Sequence, residues 1–206
     1  MEAMLIRREH TNAVANALAR AFMDDPVNCY VLPGETRRWE LLSWGFPRWV
    51  RAVAQRGTAW TTPDFAGGAL WRAPNLGTGI WIWDQMRAGL FLAPFKLYPS
   101  EFLRFRKVHA EATRRMRTNI TTPHWVLDVL GVSPDRQGQG LSRCMLTPVL
   151  KEADAQDKPC YLITNKATNV AIYTHFGFEV IEEGLMGGTD VMFYEMRRPP
   201  RPESNT

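Results

Sequence analysis

Apolar residues recur along this chain at several spacings, and each spacing predicts a different element. In TNAVANALARAFMDDP, Val14, Ala17, Leu18, Ala21 and Phe22 return at helical intervals until Pro26, which predicts a helix ending at the Asp24–Asp25 pair. ETRRWELLSWGFPRWVRAVAQRG predicts one or two short helices, interrupted near Gly45–Pro47 and closed by Gly57. The aromatic and β-branched runs TAWTT and GGALWRAP, set apart by Gly, Pro and Asp, predict two strands, with GIWIWD an alternative third. SEFLRFRKVHAEATRRMRTN predicts a long amphipathic helix with Ser100 as N-cap and Glu101 in the first turn. Phe102, Phe105, Val108/His109, Ala112 and Met116 form its apolar face.

The second half alternates. HWVLDVLGV, residues 124–132, is a nearly continuous apolar run of the buried-strand type, broken by Asp128 and Gly131. Strict alternation puts Asp128 on the same side as Val126, Leu130 and Val132. A glycine-containing polar loop follows, then a helix to about Asp154, the buried strand CYLIT, a short helix NVAIYTHFGF ending at Gly177, and the strand VMFYEMRR. This order predicts one mixed α/β domain over residues 1–198, with a disordered tail at 199–206.

Composition narrows the function classes. With 206 residues, 45% hydrophobic and 22% charged, the chain can bury one sizeable core. The net charge of +4 arises from scattered pairs such as Arg7–Arg8, Arg37–Arg38 and Arg114–Arg115. They are too dispersed for a nucleic-acid stripe, but they suit an anionic small-molecule cofactor. Cys29, Cys144 and Cys160 lack CxxC or Cys/His spacing, so neither a disulfide framework nor a metal site is expected. The first residues have no signal-peptide core, and no window approaches the roughly 20 apolar residues of a membrane span. A cytoplasmic protein with no membrane or nucleic-acid partner is expected, as a monomer or homodimer.

The loop GVSPDRQGQGLSR, residues 131–143, carries the chemistry. A loop joining a buried strand to a helix N-terminus presents unpaired backbone N–H groups where the helix dipole favours negative charge. Gly138 and Gly140, without side chains, let an anion approach that backbone. Neither GxxxxGK[ST] nor GxGxxG is satisfied, since no Lys-Ser or Lys-Thr follows and Arg143 occupies the third glycine position. Asn169 and Tyr173, four residues apart, share one face of the short helix that follows.

Gln137-Gly138-Gln139-Gly140-Leu141-Ser142 resembles the acyl-CoA signature [QR]-x-x-G-x-[GA] of the GNAT N-acetyltransferase family, with Ser142 at the last position. HWVLDVLGVSPDRQGQGL resembles the family's fourth strand and pyrophosphate loop, and NVAIYTHFGFEV its Asn-x-x-x-Tyr-x-x-x-Gly-Phe segment. Within the family, GVSPD.QG.GL, Pro148 and the AF..DP turn resemble the acetyltransferases similar to puromycin N-acetyltransferase. The resemblance implies a GNAT fold, a largely antiparallel sheet that splays beside strand 124–132 with helices on both faces. It also implies acetyl-CoA as acyl donor and no metal. The backbone of Leu130, Gly131 and Val132 would run along the pantetheine arm and polarise the thioester carbonyl. The amides of Gln137, Gly138, Gln139, Gly140, Leu141 and Ser142 would hold the pyrophosphate. Asn169 would bind the arm and Tyr173 would protonate the departing sulfur.

For the general base, Asp128 can accept an ammonium proton if burial raises its pKa, or it can be salt-bridged to an arginine; Glu111, Asp24 and Asp25 are further candidates. His109 and His124 are read as structural. Tyr30, Trp60, Trp71, Trp81 and Trp83 lie in the region that forms the acceptor side in the family, which favours an aromatic or hydrophobic small-molecule amine. A peptide or protein amine and a non-catalytic acyl-CoA-binding module are the alternatives.

Overall fold

The computed structural model describes residues 2–74, 86 and 89–201. Its elements are β1 (Met4–Leu5), α1 (Thr11–Ala21), α2 (Pro26–Val31), α3 (Glu35–Ala54), β2 (Ala59–Thr61), β3 (Gly67–Arg72), α4 (Ala93–Lys96), α5 (Pro99–Asn119), β4 (Trp125–Val132), α6 (Leu141–Ala155), β5 (Cys160–Thr164), α7 (Ala167–His175), β6 (Glu179–Leu185) and β7 (Met192–Arg198). The seven strands form one sheet in the order β1-β2-β3-β4-β5-β7-β6. Every neighbouring pair is antiparallel except β4 and β5. This is the mixed α/β, mostly antiparallel architecture with helices on both faces that the resemblance implies.

Two apolar layers hold the sheet. On one face Val14 and Leu18 of α1, with Phe46, Val50 and Val53 of α3, pack on Leu70 and Val129. On the other, Leu141, Met145, Leu146, Val149 and Leu150 of α6 pack on Ala69, Trp71, Trp125, Leu127, Leu162 and Met196. On the first face α5 adds Val108 against Val191 and Phe193, and Met116 against Val126 and Tyr161. Phe105, assigned by spacing to that helix's apolar face, is exposed and stacks on His109 instead.

Several elements depart from the sequence expectation for local reasons. Residues 35–54 form one helix through Pro47, because Phe46, Val50 and Val53 continue a single buried stripe. The N-cap of α5 is Tyr98 rather than Ser100, because Pro99 occupies the first helical position and Glu101 reaches back to accept a hydrogen bond from the Tyr98 amide at 2.8 Å. β6 is an additional strand: EVIEEGL lies at the sheet edge, largely exposed, so its glutamates cost no burial and leave no apolar alternation. The alternative third strand at GIWIWD, Trp81 and Trp83 lie outside the described residues, as do residues 202–206 of the tail.

An ion pair ties the C-terminal strand to the helices of the second half. Arg198, buried on β7, donates from Nη1 and Nη2 to Asp154 Oδ1 and Oδ2 at 2.6 and 2.7 Å, and from Nε to the Phe176 carbonyl at 2.9 Å. Burial alone would raise the Asp154 carboxyl, but the paired guanidinium holds it below the ordinary carboxylate range. Its contribution to stability is present above the unfolded carboxylate pKa and lost as pH falls through the lowered folded one. Asp154→Ala, which leaves Arg198 buried and unpaired, is expected to lower the unfolding free energy by about 3–5 kcal/mol in urea denaturation at neutral pH.

Candidate active site

β4 and β5 pair for two residues only, Trp125 with Cys160 and Val126 with Tyr161. Beyond that point the parallel strands separate, and the β5-side edge of β4 has no strand partner among the described residues. The Ser133 amide donates to the Ala66 carbonyl at 2.8 Å, so alternation turns the backbone groups of Leu130 and Val132 toward the open edge. Gln137 Nε2 donates to the Val132 carbonyl there at 3.0 Å and secures the start of the glycine loop.

The separation opens a cleft of about 320 Å³. Leu130, Gly131, Val132, Gln137, Gly138, Gly140, Leu141, Ser142, Asn169 and Tyr173, separated by as many as 43 positions in the chain, all line it. Gln139 does not; its Oε1 accepts from Arg136 Nε at 3.2 Å. Gly138 and Gly140 adopt φ of 76° and 71°, and a Cβ at either would meet no atom within 4 Å. The first turn of α6 has no side-chain cap. Left-handed backbone, open space and free amides thus coincide where the helix dipole favours an anion. Ion pairs of Arg20 with Asp135 at 2.9 Å and Arg136 with Asp64 at 2.6 Å anchor the loop from outside.

α7 supplies the opposite wall. Asn169 Nδ2 donates to Thr164 Oγ1 at 3.1 Å, which ties the helix to the end of β5. Tyr173 is 7% exposed and packs edge-on against Phe178, ring centroids 5.9 Å apart. Gly177, at φ 87°, turns the chain so that the Phe178 amide reaches the Tyr173 carbonyl at 3.1 Å. Burial pushes the Tyr173 phenol well above its ordinary range, and its hydroxyl has no hydrogen-bond partner among the described residues.

Two carboxylates considered from the sequence have different surroundings. The register between β3 and β4 passes from Leu70↔Val129 to Trp71↔Leu127, so Asp128 is the extra residue of a β-bulge. Val129 therefore packs under α1 and α3, whereas Leu130 and Val132 pack on the α6 side. The alternation grouping Asp128 with Leu130 and Val132 is broken at the bulge. Asp128 instead accepts from Arg72 Nη2 at 2.8 Å and Nε at 3.0 Å, outside the cleft lining. Asp25 lines the cleft. It N-caps α2, with Oδ1 accepting from the Asn28 amide at 3.1 Å. Burial raises its carboxyl, outweighing the lowering by the Asn28 amide and nearby Lys166. Asp directly before Pro is an N-cap signature in its own right, and it marks the start of α2 rather than only the end of α1. Glu111 is paired with Arg114 and Arg115. Trp71 is fully buried under α6 with Trp60 beside it, and Tyr30 packs near Val108 and Phe193.

The GNAT acetyltransferase domain family matches residues 111–197, which includes β4, the glycine loop and α7. That stretch of the chain is similar to a GNAT acetyltransferase domain. An uncharacterized N-acetyltransferase of Schizosaccharomyces pombe is 29% identical to it over 184 residues, covering 86% of this chain and 74% of the relative. In fold, the protein is similar to a histone acetyltransferase HPA2 and related acetyltransferase from Corynebacterium glutamicum, with TM-score 0.65, 17% identity and 98% of each chain covered. Arylalkylamine N-acetyltransferase 2 from Aedes aegypti gives TM-score 0.62 at 14% identity over 97% of this chain and 99% of its own. Naa20 from Chaetomium thermophilum, solved with a bisubstrate analogue, gives 0.52 at 15% over 97% and 86%. GNAT acetyltransferases use acetyl-CoA as cosubstrate. Among the described residues of this one, no group of His, Cys, Asp and Glu is arranged to hold a metal, and no helix is long and apolar enough to cross a membrane.

The raised Asp25 carboxyl has a measurable consequence for stability. A folded-state pKa above the unfolded value contributes stability that is complete below the unfolded pKa and is lost as pH rises through the folded one. Asp25→Asn keeps the amide acceptor without the buried charge. It is expected to melt at a higher temperature than wild type at neutral pH, the difference closing as a pH series of thermal melts descends through the carboxylate range.

Proposed function

We propose that this acetyltransferase transfers an acetyl group from acetyl-CoA to the amine of a small molecule, by direct attack with donor and acceptor bound together. The observation that carries the proposal is the joining, in one cleft, of an open strand edge, a side-chain-free anion loop, a buried phenol and a desolvated carboxylate. When bound, acetyl-CoA supplies the activated acyl group as a thioester. The backbone of Leu130 and Val132 hydrogen-bonds its arm, and an amide of that strand polarises the carbonyl. The amides of Gly138, Gly140, Leu141 and Ser142 hold the pyrophosphate, and Asn169 orients the arm.

Proton movement falls to two side chains whose surroundings favour the protonated form. The Asp25 carboxylate accepts the proton an ammonium must lose before it can attack, because desolvation increases its proton affinity. The Tyr173 hydroxyl, kept protonated by burial, donates to the departing sulfur. This assigns the base to Asp25; Asp128, bound bidentately by Arg72, keeps β3 and β4 together at the bulge. Two proton-handling groups in the cleft favour catalysis over a purely acyl-CoA-binding role. The likeness to an arylalkylamine N-acetyltransferase supports a small amine as acceptor, and the likeness to Naa20 makes a peptide amine the comparison to test.

Calorimetric titration with acetyl-CoA is expected to give micromolar binding to wild type and none to folded Gly140→Trp, whose side chain fills the loop. Thiol release is expected to accompany turnover of arylalkylamines and not of peptides. Tyr173→Phe and Asp25→Asn should each lower kcat by about 10²–10³-fold with acetyl-CoA affinity unchanged, while Asp128→Asn retains most of its turnover. Turnover of peptides alone would replace the small-molecule reading. Loss confined to Asp128→Asn would move the base back to that residue.

A further inference from the structure

The stretch from Phe91 to Lys107 lies outside the cleft lining and has an unusual surface. Phe95, on the four-residue α4, is 85% exposed; Tyr98 is 62%, Leu103 55% and Phe91 52% exposed, with Leu92 also out in solvent. A run of large apolar side chains left in water marks an interaction site. Its charge is one-sided. Among described residues 89–110 the only carboxylate is Glu101, which is buried and held by Arg37 Nε at 3.4 Å and the Tyr98 amide. Among the bordering acids, Glu40 is paired with Arg37 and Glu111 with Arg114 and Arg115. Lys96, Arg106 and Lys107 are exposed, and Arg106 and Lys107 share a groove on α5 with Leu103.

We propose that this stretch docks the protein peripherally on a bilayer containing anionic lipid, its aromatic tips entering the interface while the cations meet the headgroups. The exposure and the charge select this occupant. Phe95 is 85% exposed on a four-residue helix beside exposed Phe91, Leu92 and Tyr98, so these side chains can enter a bilayer interface. A second copy would bring cations against cations. Aromatic and leucine side chains with neighbouring Lys and Arg match the chemistry of a negatively charged membrane surface, where each basic group contributes through the leaflet potential. With no helix among the described residues able to span, the association is on the surface. It differs from the sequence expectation of no membrane partner, which rested on spanning segments, and it is independent of the acetyl-transfer reading.

The test is co-sedimentation of the full chain with vesicles of phosphatidylcholine alone and of phosphatidylcholine mixed equally with phosphatidylglycerol. Wild type is expected to sediment with the anionic vesicles at low salt, to be partly released at high salt, and to stay in solution with neutral ones. Phe91→Asp with Phe95→Asp, both at exposed positions, should lower the bound fraction at least about tenfold while the circular dichroism spectrum and melting temperature stay unchanged. Lys96→Glu with Arg106→Glu should do the same and remove the salt dependence. Wild type remaining in solution with anionic vesicles overturns the proposal. So does undiminished binding by the folded Phe variant, which would locate contact elsewhere, or self-association of wild type that the Phe variant abolishes without any vesicle binding.

Discussion

The brevity of one strand pairing governs this structure. β4 and β5 run parallel and bond for two residues before they diverge. Parallel neighbours need a crossover, and here the crossover is the glycine loop with α6, so the element joining the two strands is the one that borders their gap. Unsatisfied strand backbone inside a protein is costly. The open edge at Leu130 and Val132 is tolerated because it faces a cleft, with Gln137 satisfying the Val132 carbonyl. The packing of α1 and α3 on one face and α6 on the other keeps β4 rigid up to the point where its partner leaves it.

Desolvation acts in two directions around that gap. At Arg198 and Asp154 burial is offset by a bidentate pair, and the outcome is structural: β7, α6 and the end of α7 are held together behind the site. At Asp25 and Tyr173 it is not fully offset, and both groups favour the protonated form more than they would in water. In the proposed reaction one of them gains a proton and the other gives one up. Asp128 and Arg72 resemble the first case, and their pairing sits at the bulge that changes which way the rest of β4 faces.

Much of the site was legible locally. The apolar run 124–132, the glycines at 138 and 140, and the four-residue spacing of Asn169 and Tyr173 are properties of contiguous segments, and the structure joins those segments in one cleft. Elements set by their neighbours were harder to read. EVIEEGL is a strand only because β7 offers it an edge, and α2 is too short for periodicity, although its Asp-Pro start was visible. Pro47 looked like a break because its cost is local, while the buried stripe that outweighs it is tertiary.

The sequence by itself determined the class of fold and the arrangement of its segments: a buried strand leading into a loop with glycines at 138 and 140, a Tyr one helical turn after an Asn, and an α/β order. Only the tertiary structure decided which carboxylate lines the cleft with that tyrosine. A bulge has no signature in a row of apolar residues, and a desolvated carboxylate reads the same as a solvated one until the walls around it are assembled. Asp128 met a guanidinium from a neighbouring strand, Asp25 met the cleft, and both outcomes depend on contacts between elements far apart in the chain.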